Sequence, residues 1–135
     1  MPALSVEDRL AITELIALHG HLVDNGEFGR LGEIFTEDVA YDVSDFGHGV
    51  LRGLSGNGEA ARALGDRNPV GHHVTNTVLT ARPDGTVEAR SKGIGILVNG
   101  NCGSLTYDDT VVRTAAGWRI SHRVVSARRT PLRAG

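Results

Sequence analysis

From residue 5 to residue 24 the apolar positions Ile12, Leu15, Ile16, Leu22 and Val23 recur every three or four residues, the period of one helix face. Ser5 stands at a favoured N-cap position, and Glu7 and Asp8 occupy the first turn, where acidic groups meet the positive end of the helix dipole. Asp24-Asn25-Gly26 closes the helix. His19 falls in the middle of the apolar stripe and is predicted to point into the core or a pocket, whereas His21 points elsewhere. Asp24 lies off the stripe. It reaches inward only if the helix ends or bends there, which Gly26 permits.

The pattern then shortens. Residues 27 to 36 read as a second helix with Phe28, Leu31, Ile34 and Phe35 on its buried side, weakened by Gly29 and Gly32. Residues 38 to 43 alternate, with Val39, Tyr41 and Val43 on one side and Ala40 and Asp42 on the other, which predicts a short strand. The glycine-rich residues 44 to 58 predict a loop, and residues 58 to 66 a short helix. From there the chain is β-patterned, with strands predicted over 73–82, 86–98, 104–114 and 118–129, separated by the turn signals Pro83-Asp84-Gly85, Asn99 to Gly103 and Ala115-Ala116-Gly117. In the last strand, strict alternation places Trp118, Ile120, His122 and Val124 on one face and Arg119, Ser121 and Arg123 on the other. Helices first and long antiparallel strands afterwards give an α+β fold. Gly93 and Gly95, inside a strand, supply the bend of a curved sheet, so the expected shape is a cone of antiparallel or mixed sheet wrapped on the N-terminal helices around an apolar pocket.

Length changes this picture only by limiting it: 135 residues form a single domain, 1–135. A formal net charge of −2 argues against a nucleic-acid footprint. The one basic cluster, Arg123, Arg128, Arg129 and Arg133, reads as solubilising. The single cysteine, Cys102, makes no intrachain disulfide and lies in a turn-like stretch that gives no reason to read it as a nucleophile. Neither a signal peptide nor a membrane-spanning run is evident, so a cytoplasmic, soluble protein is expected. No phosphate-binding glycine motif is present. The six histidines form no set with metal-ligand spacing, so neither metal nor cofactor is expected.

The chemistry concentrates in Gly71-His72-His73-Val74-Thr75-Asn76. Successive side chains of a strand point to opposite faces, so one of the two histidines faces inward. A histidine beside an apolar surface titrates near neutral pH and moves protons. With His19, Tyr41 and His122 also predicted inward, a purely structural core would have to find a partner for each.

These features together resemble the SnoaL-like branch of the nuclear-transport-factor-2-like superfamily. The resemblance rests on Ile34 to Asp42, Gly71 to Asn76, Tyr107-Asp108-Asp109 and Gly117 to Arg123. Within it the chain is most similar to the group containing scytalone dehydratase and bile-acid 7α-dehydratase. The resemblance implies His73 as base by position and Asp24 as its carboxylate. The family's helix tyrosine falls on His19, a departure, and Tyr41 resembles a strand tyrosine that could supply the phenol. Tyr41, His19 or His122 would steady or protonate the substrate oxygen, with Asn76 and Trp118 as further substrate contacts. The implied activity is cofactor-independent acid–base chemistry (dehydration, isomerisation or cyclisation) on a small apolar cyclic or polyketide-like compound. A non-catalytic binding or oligomerisation module of the same fold is the alternative, and an epoxide hydrolase built on Arg90, Asp109 and Asp42 ranks third. An open convex sheet face predicts a homodimer.

Overall fold

The computed structural model describes residues 3–132; Arg133 of the basic cluster lies outside the described residues. The long first helix, α1, runs Val6–Asp24, with Ser5 as N-cap accepting a 3.0 Å hydrogen bond from the Asp8 N–H. Ile12, Leu15, Ile16, His19 and Leu22 form its buried face, as the spacing predicts. The predicted second helix is only a 3-10 turn, Phe28–Glu33, because Gly29 and Gly32 give it no helical preference and Phe35 already belongs to a strand.

That strand, β1 (Phe35–Asp42), starts earlier than its alternation suggests and buries Phe35, Val39 and Tyr41. The glycine-rich stretch is more ordered than a loop. It forms a 3-10 turn at Ser44–Phe46, a short strand β2 (Val50–Arg52) and the first half of a helix α2 (Gly53–Leu64), which contains Gly53, Gly56 and Gly58 and continues into the helix predicted from residue 58. Four long strands follow: β3 (Gly71–Ala81), β4 (Val87–Ile96), β5 (Cys102–Thr114) and β6 (Gly117–Arg128). The six strands form one sheet in the order β2-β1-β6-β5-β4-β3. All neighbours are antiparallel except β1 and β6, which run parallel, so the sheet is mixed and open.

The inner face carries the core: Val87 and Ala89 on β4, Tyr107 and Val111 on β5, Trp118, Ile120 and Val125 on β6, all against the buried stripe of α1. Trp118 donates its indole N–H to Asp8 at 3.0 Å and is covered by the Arg113 guanidinium at 4.3 Å, which ties the far end of β6 to the start of α1. Gly93 lets β4 pass under the Tyr107 ring, since a Cβ there would stand 2.4 Å from that ring.

Two irregularities redirect side chains. Between Thr75 and Val78, β3 carries one more residue than β4 opposite it, and Asn76 sits there at φ 57°. Between Ile120 and His122, β6 carries one more residue than β5, with Ser121 as the extra one. Each extra residue reverses which numbers face inward. Strict alternation in the last strand is therefore broken: Arg123 and Val125 point into the core, and His122 is exposed on the outer face.

Candidate active site

Helix α1 ends where it touches the first residues of β3. Gly20 packs on the His72 carbonyl so closely that a Cβ at residue 20 would lie 2.5 Å from that oxygen. One turn further on, Asp24 is the last helical residue, and the chain leaves through Asn25 and Gly26. This ending turns the Asp24 carboxylate onto β3. Its Oδ2 accepts the His72 backbone N–H at 3.1 Å, and its Oδ1 lies 2.6 Å from His72 Nδ1. Because a carboxylate only accepts, Nδ1 carries the proton, and Nε2 of the neutral ring keeps its lone pair. Held at both backbone and ring, His72 has little freedom to rotate.

The partner of Asp24 is thus His72, not His73. His72 and Val74 share the inward face of β3, while His73 pairs across to Ile94 on the outer side and is exposed. The position implied by resemblance falls one residue late, and pleat parity decides between the two histidines.

His19 stands beside the pair, with its ring 6.1 Å from His72 edge-on, 6.1 Å from Tyr41 in a stacked arrangement and 5.7 Å from Phe35. Burial, and after it the positive charge of Arg123, holds the His19 imidazole well below the usual histidine range. His19 is a neutral ring at physiological pH, able to donate from one nitrogen and accept at the other. Burial pushes the Tyr41 phenol up, so it stays protonated, an effect that Arg123 opposes without reversing.

Beneath these groups lies an ion pair that the strand pattern hid. Arg123 Nε and Nη2 donate to the two carboxylate oxygens of Asp109 at 2.7 and 2.8 Å, with both side chains essentially out of contact with solvent. The guanidinium stacks on Tyr107 at 4.3 Å and approaches Phe35 and Tyr41. Burial works against its charge, but Asp109 more than offsets this and the Arg123 pKa is raised. The usable signal was Leu105, Tyr107, Asp109 and Val111, an inward parity that places a carboxylate among apolar neighbours and so demands a cation. Arg90, the sequence candidate for that cation, is exposed and pairs with Asp108 at 3.3 Å, and Asp42 accepts the Ser44 N–H. Arg90, Asp109 and Asp42 therefore do not assemble into one set.

His72 and His19 border two cavities, and Asp24 lines the first of them. On one side is a cleft of about 320 Å³ where Asp24, His19, His21, His72 and His73 meet the apolar Ile16 and Val74. On the other is a largely apolar cavity of about 360 Å³, to which His19, Tyr41 and His72 contribute, with Val23, Val43 and Leu51. Helix α2 supplies its far wall through Asn57, Ala60, Ala61 and Leu64. Of the other sequence candidates, His122 is exposed, Asn76 borders a cleft on the outer face, and Trp118 is committed to Asp8. None of these three lines the cavity beside His72. Among the described residues no group of three or more His, Cys, Asp or Glu side chains is placed to hold a metal ion, and no helix is long and apolar enough to cross a membrane.

The model of the SnoaL-like domain matches residues 4–124. The chain belongs to the SnoaL-like domain family. This SnoaL-like chain is 30% identical over 132 residues to an uncharacterized protein of Mycobacterium tuberculosis, a match covering 88% of the chain and 84% of that relative. It superposes with a TM-score of 0.74 at 32% identity on an NTF2-like protein with a cystatin-like fold from Novosphingobium aromaticivorans, over 90% of this chain and 82% of that one. A second Novosphingobium aromaticivorans structure, provisionally named a scytalone dehydratase, matches with a TM-score of 0.75 over 96% of this chain and 91% of that one. At 19% identity that likeness concerns the fold alone. The SnoaL-like fold includes enzymes and non-catalytic members, so the activity has to be argued from the site.

Proposed function

We propose that this SnoaL-like protein is an acid–base enzyme, a dehydratase, isomerase or cyclase, that removes a proton from carbon next to a carbonyl in a small, largely apolar ring compound. The observation that carries the reading is the 2.6 Å contact between His72 and Asp24 at the wall of an apolar cavity. With Nδ1 committed to Asp24, Nε2 of His72 accepts the proton, and the imidazolium so formed stays paired with the carboxylate. The electron pair of the broken C–H bond moves onto the carbonyl oxygen, making an enolate. Tyr41, kept protonated by its burial, and neutral His19 supply hydrogen bonds to that oxygen. Return of the proton to another carbon completes an isomerisation; loss of a β-hydroxyl, protonated as it leaves, completes a dehydration. The mainly aliphatic cavity wall suits a ring compound of the polyketide type.

The test has two parts. Deuterium incorporation next to the carbonyl of cyclic ketones in D₂O, followed by NMR, is expected with wild type, to fall at least about 10²-fold in Asp24→Asn, and to vanish in His72→Ala, in keeping with the usual weight of a positioned acid–base group. The His72 Nδ1–H, held by Asp24 at 2.6 Å, is expected as a downfield proton resonance in wild type that is lost or moves upfield in Asp24→Asn. A His72 Nδ1–H resonance indifferent to Asp24→Asn, together with no exchange in any ketone, would overturn the reading in favour of a binding module.

A further inference from the structure

The apolar cavity is lined by a buried polar side chain that the chemistry above does not use. Four buried side-chain atoms lack a hydrogen-bond partner among the described residues: Thr36 Oγ1, Ser91 Oγ, Arg123 Nη1 and Asn57 Nδ2. Of these residues only Asn57 lines the cavity. It is 8% exposed and sits in α2 between Gly56 and Gly58. A Gly-Asn-Gly run inside a helix is locally unfavourable, and a buried amide N–H without a partner adds to that cost. A leucine or alanine would pack there and favour the helix. Local choices that contradict the fold in this way concentrate at functional sites. The neighbouring amide, that of Asn68, is by contrast fully used, donating to the Ala61 and Gly65 carbonyls.

Asn57 and the reacting pair stand on different walls. His72 arrives from β3 and His19 from α1, while Asn57 comes from α2. A ligand filling the cavity thus meets His72 on one side and the α2 wall that carries Asn57 on another, where a small side-chain rotation brings the unpaired N–H to the ligand. We propose that Asn57 is a specificity-determining residue that donates its Nδ2–H to a neutral oxygen, a hydroxyl or carbonyl, carried by the ring compound away from the carbon that His72 deprotonates. A neutral oxygen is preferred to a carboxylate because the amide carries no charge and Arg67, the guanidinium lining this cavity, is exposed. The substrate class is thereby narrowed to rings with two oxygens, one activating the labile C–H bond and one read by Asn57. The proposal rests on the acid–base reading for taking this cavity as the substrate site.

The experiment measures binding rather than turnover. Kd values for 2-decalone, 6-hydroxy-2-decalone and the matched 6-carboxylate are obtained by NMR titration on wild type, Asn57→Leu, Asn57→Ala and His72→Ala. Wild type is expected to favour the hydroxy ketone over 2-decalone about tenfold, roughly 1.4 kcal/mol. Asn57→Leu is expected to lose that preference while still binding 2-decalone, and to melt at a higher temperature because an unpaired buried donor has been removed. Asn57→Ala repeats the binding test if the leucine variant does not fold. Equal Kd values in wild type, a preference that survives both substitutions, or tighter binding of the carboxylate would each overturn the proposal. His72→Ala is expected to keep the preference while losing deuterium exchange. Preference without exchange in wild type would sink the acid–base reading alone, and exchange without preference would sink the role of Asn57 alone.

Discussion

The Asp109–Arg123 pair makes a demanding test of the energetics, and Asp109→Asn is the perturbation that probes it. Both side chains are out of solvent, joined by two hydrogen bonds of 2.7 and 2.8 Å, and Arg123 Nη1 already lacks a partner. The asparagine keeps nearly the same shape and one acceptor but removes the negative charge. The guanidinium is then a buried cation faced by Tyr107, Phe35 and Tyr41 and by no other carboxylate in the set of contacts it makes. Breaking a buried pair from one side costs about 3–5 kcal/mol. Because a domain of this kind has about 5–15 kcal/mol in total, a third or more of its stability is at stake. The assay is urea denaturation, comparing midpoints at unchanged m-value. The double variant Asp109→Leu with Arg123→Met replaces both charges by apolar groups and is expected to be more stable than Asp109→Asn, since no ion is left unpaired. A loss below about 1 kcal/mol for Asp109→Asn, or a double variant as unstable as the two single changes added together, would refute the reasoning.

Three further outcomes are expected. The pKa of His19 is lowered by folding, so the unfolded chain binds the extra proton first; stability is fully present above about pH 6.5 and falls as pH drops toward the depressed folded value, by up to about 1.4 kcal/mol per pH unit. Urea midpoints at pH 7 and about pH 5.5 measure this, and His19→Gln is expected to flatten the slope; an equal slope in the variant would assign it elsewhere. Gly20→Ala places a methyl group 2.5 Å from the His72 carbonyl oxygen, which pushes α1 off β3 and separates Asp24 from His72. It should therefore reduce deuterium exchange as strongly as Asp24→Asn; unchanged exchange would show that the helix yields without disturbing the pair. The outer sheet face exposes Val78 and Ile94, and a homodimer through it is expected in sedimentation velocity at micromolar concentration, with a monomer as the refuting result.

The sequence carried most of the architecture because most of it is periodic. The α1 stripe, the inward His19 and the parity of Val39 and Tyr41 all follow from spacing alone. The end of α1 at Asp24 was legible from Asn25-Gly26, and with it the idea that this carboxylate turns inward. What spacing could not reveal was where the period breaks. Counting inward from Leu79 across Asn76 points to His73, and counting onward from Ile120 across Ser121 points to His122; in each case the extra residue moves the inward position to a neighbour, His72 or Arg123. Nothing in the local residue pattern marks Asn76 or Ser121 as the extra residue. The first half of helix α2, before residue 58, was hidden for another reason. Its glycines and Asn57 oppose helix formation, and contacts with β1 and with Phe28 and Leu31 near Gly58 override that preference.

The break at Ser121 has a consequence for how such a chain can change length. A strand with a perfect two-residue repeat behaves as a reading frame: deleting one residue exchanges its two faces from that point to its end. With an unpaired residue already present, a deletion close by is absorbed by losing that residue and an insertion by enlarging the bulge, and the frame beyond it is kept. Arg123 can then remain opposite Asp109 although the count of residues before it has altered. Single-residue gaps in descendants of this gene should therefore gather around Asn76 and Ser121, and be rare between Arg123 and Val125, where no slack remains.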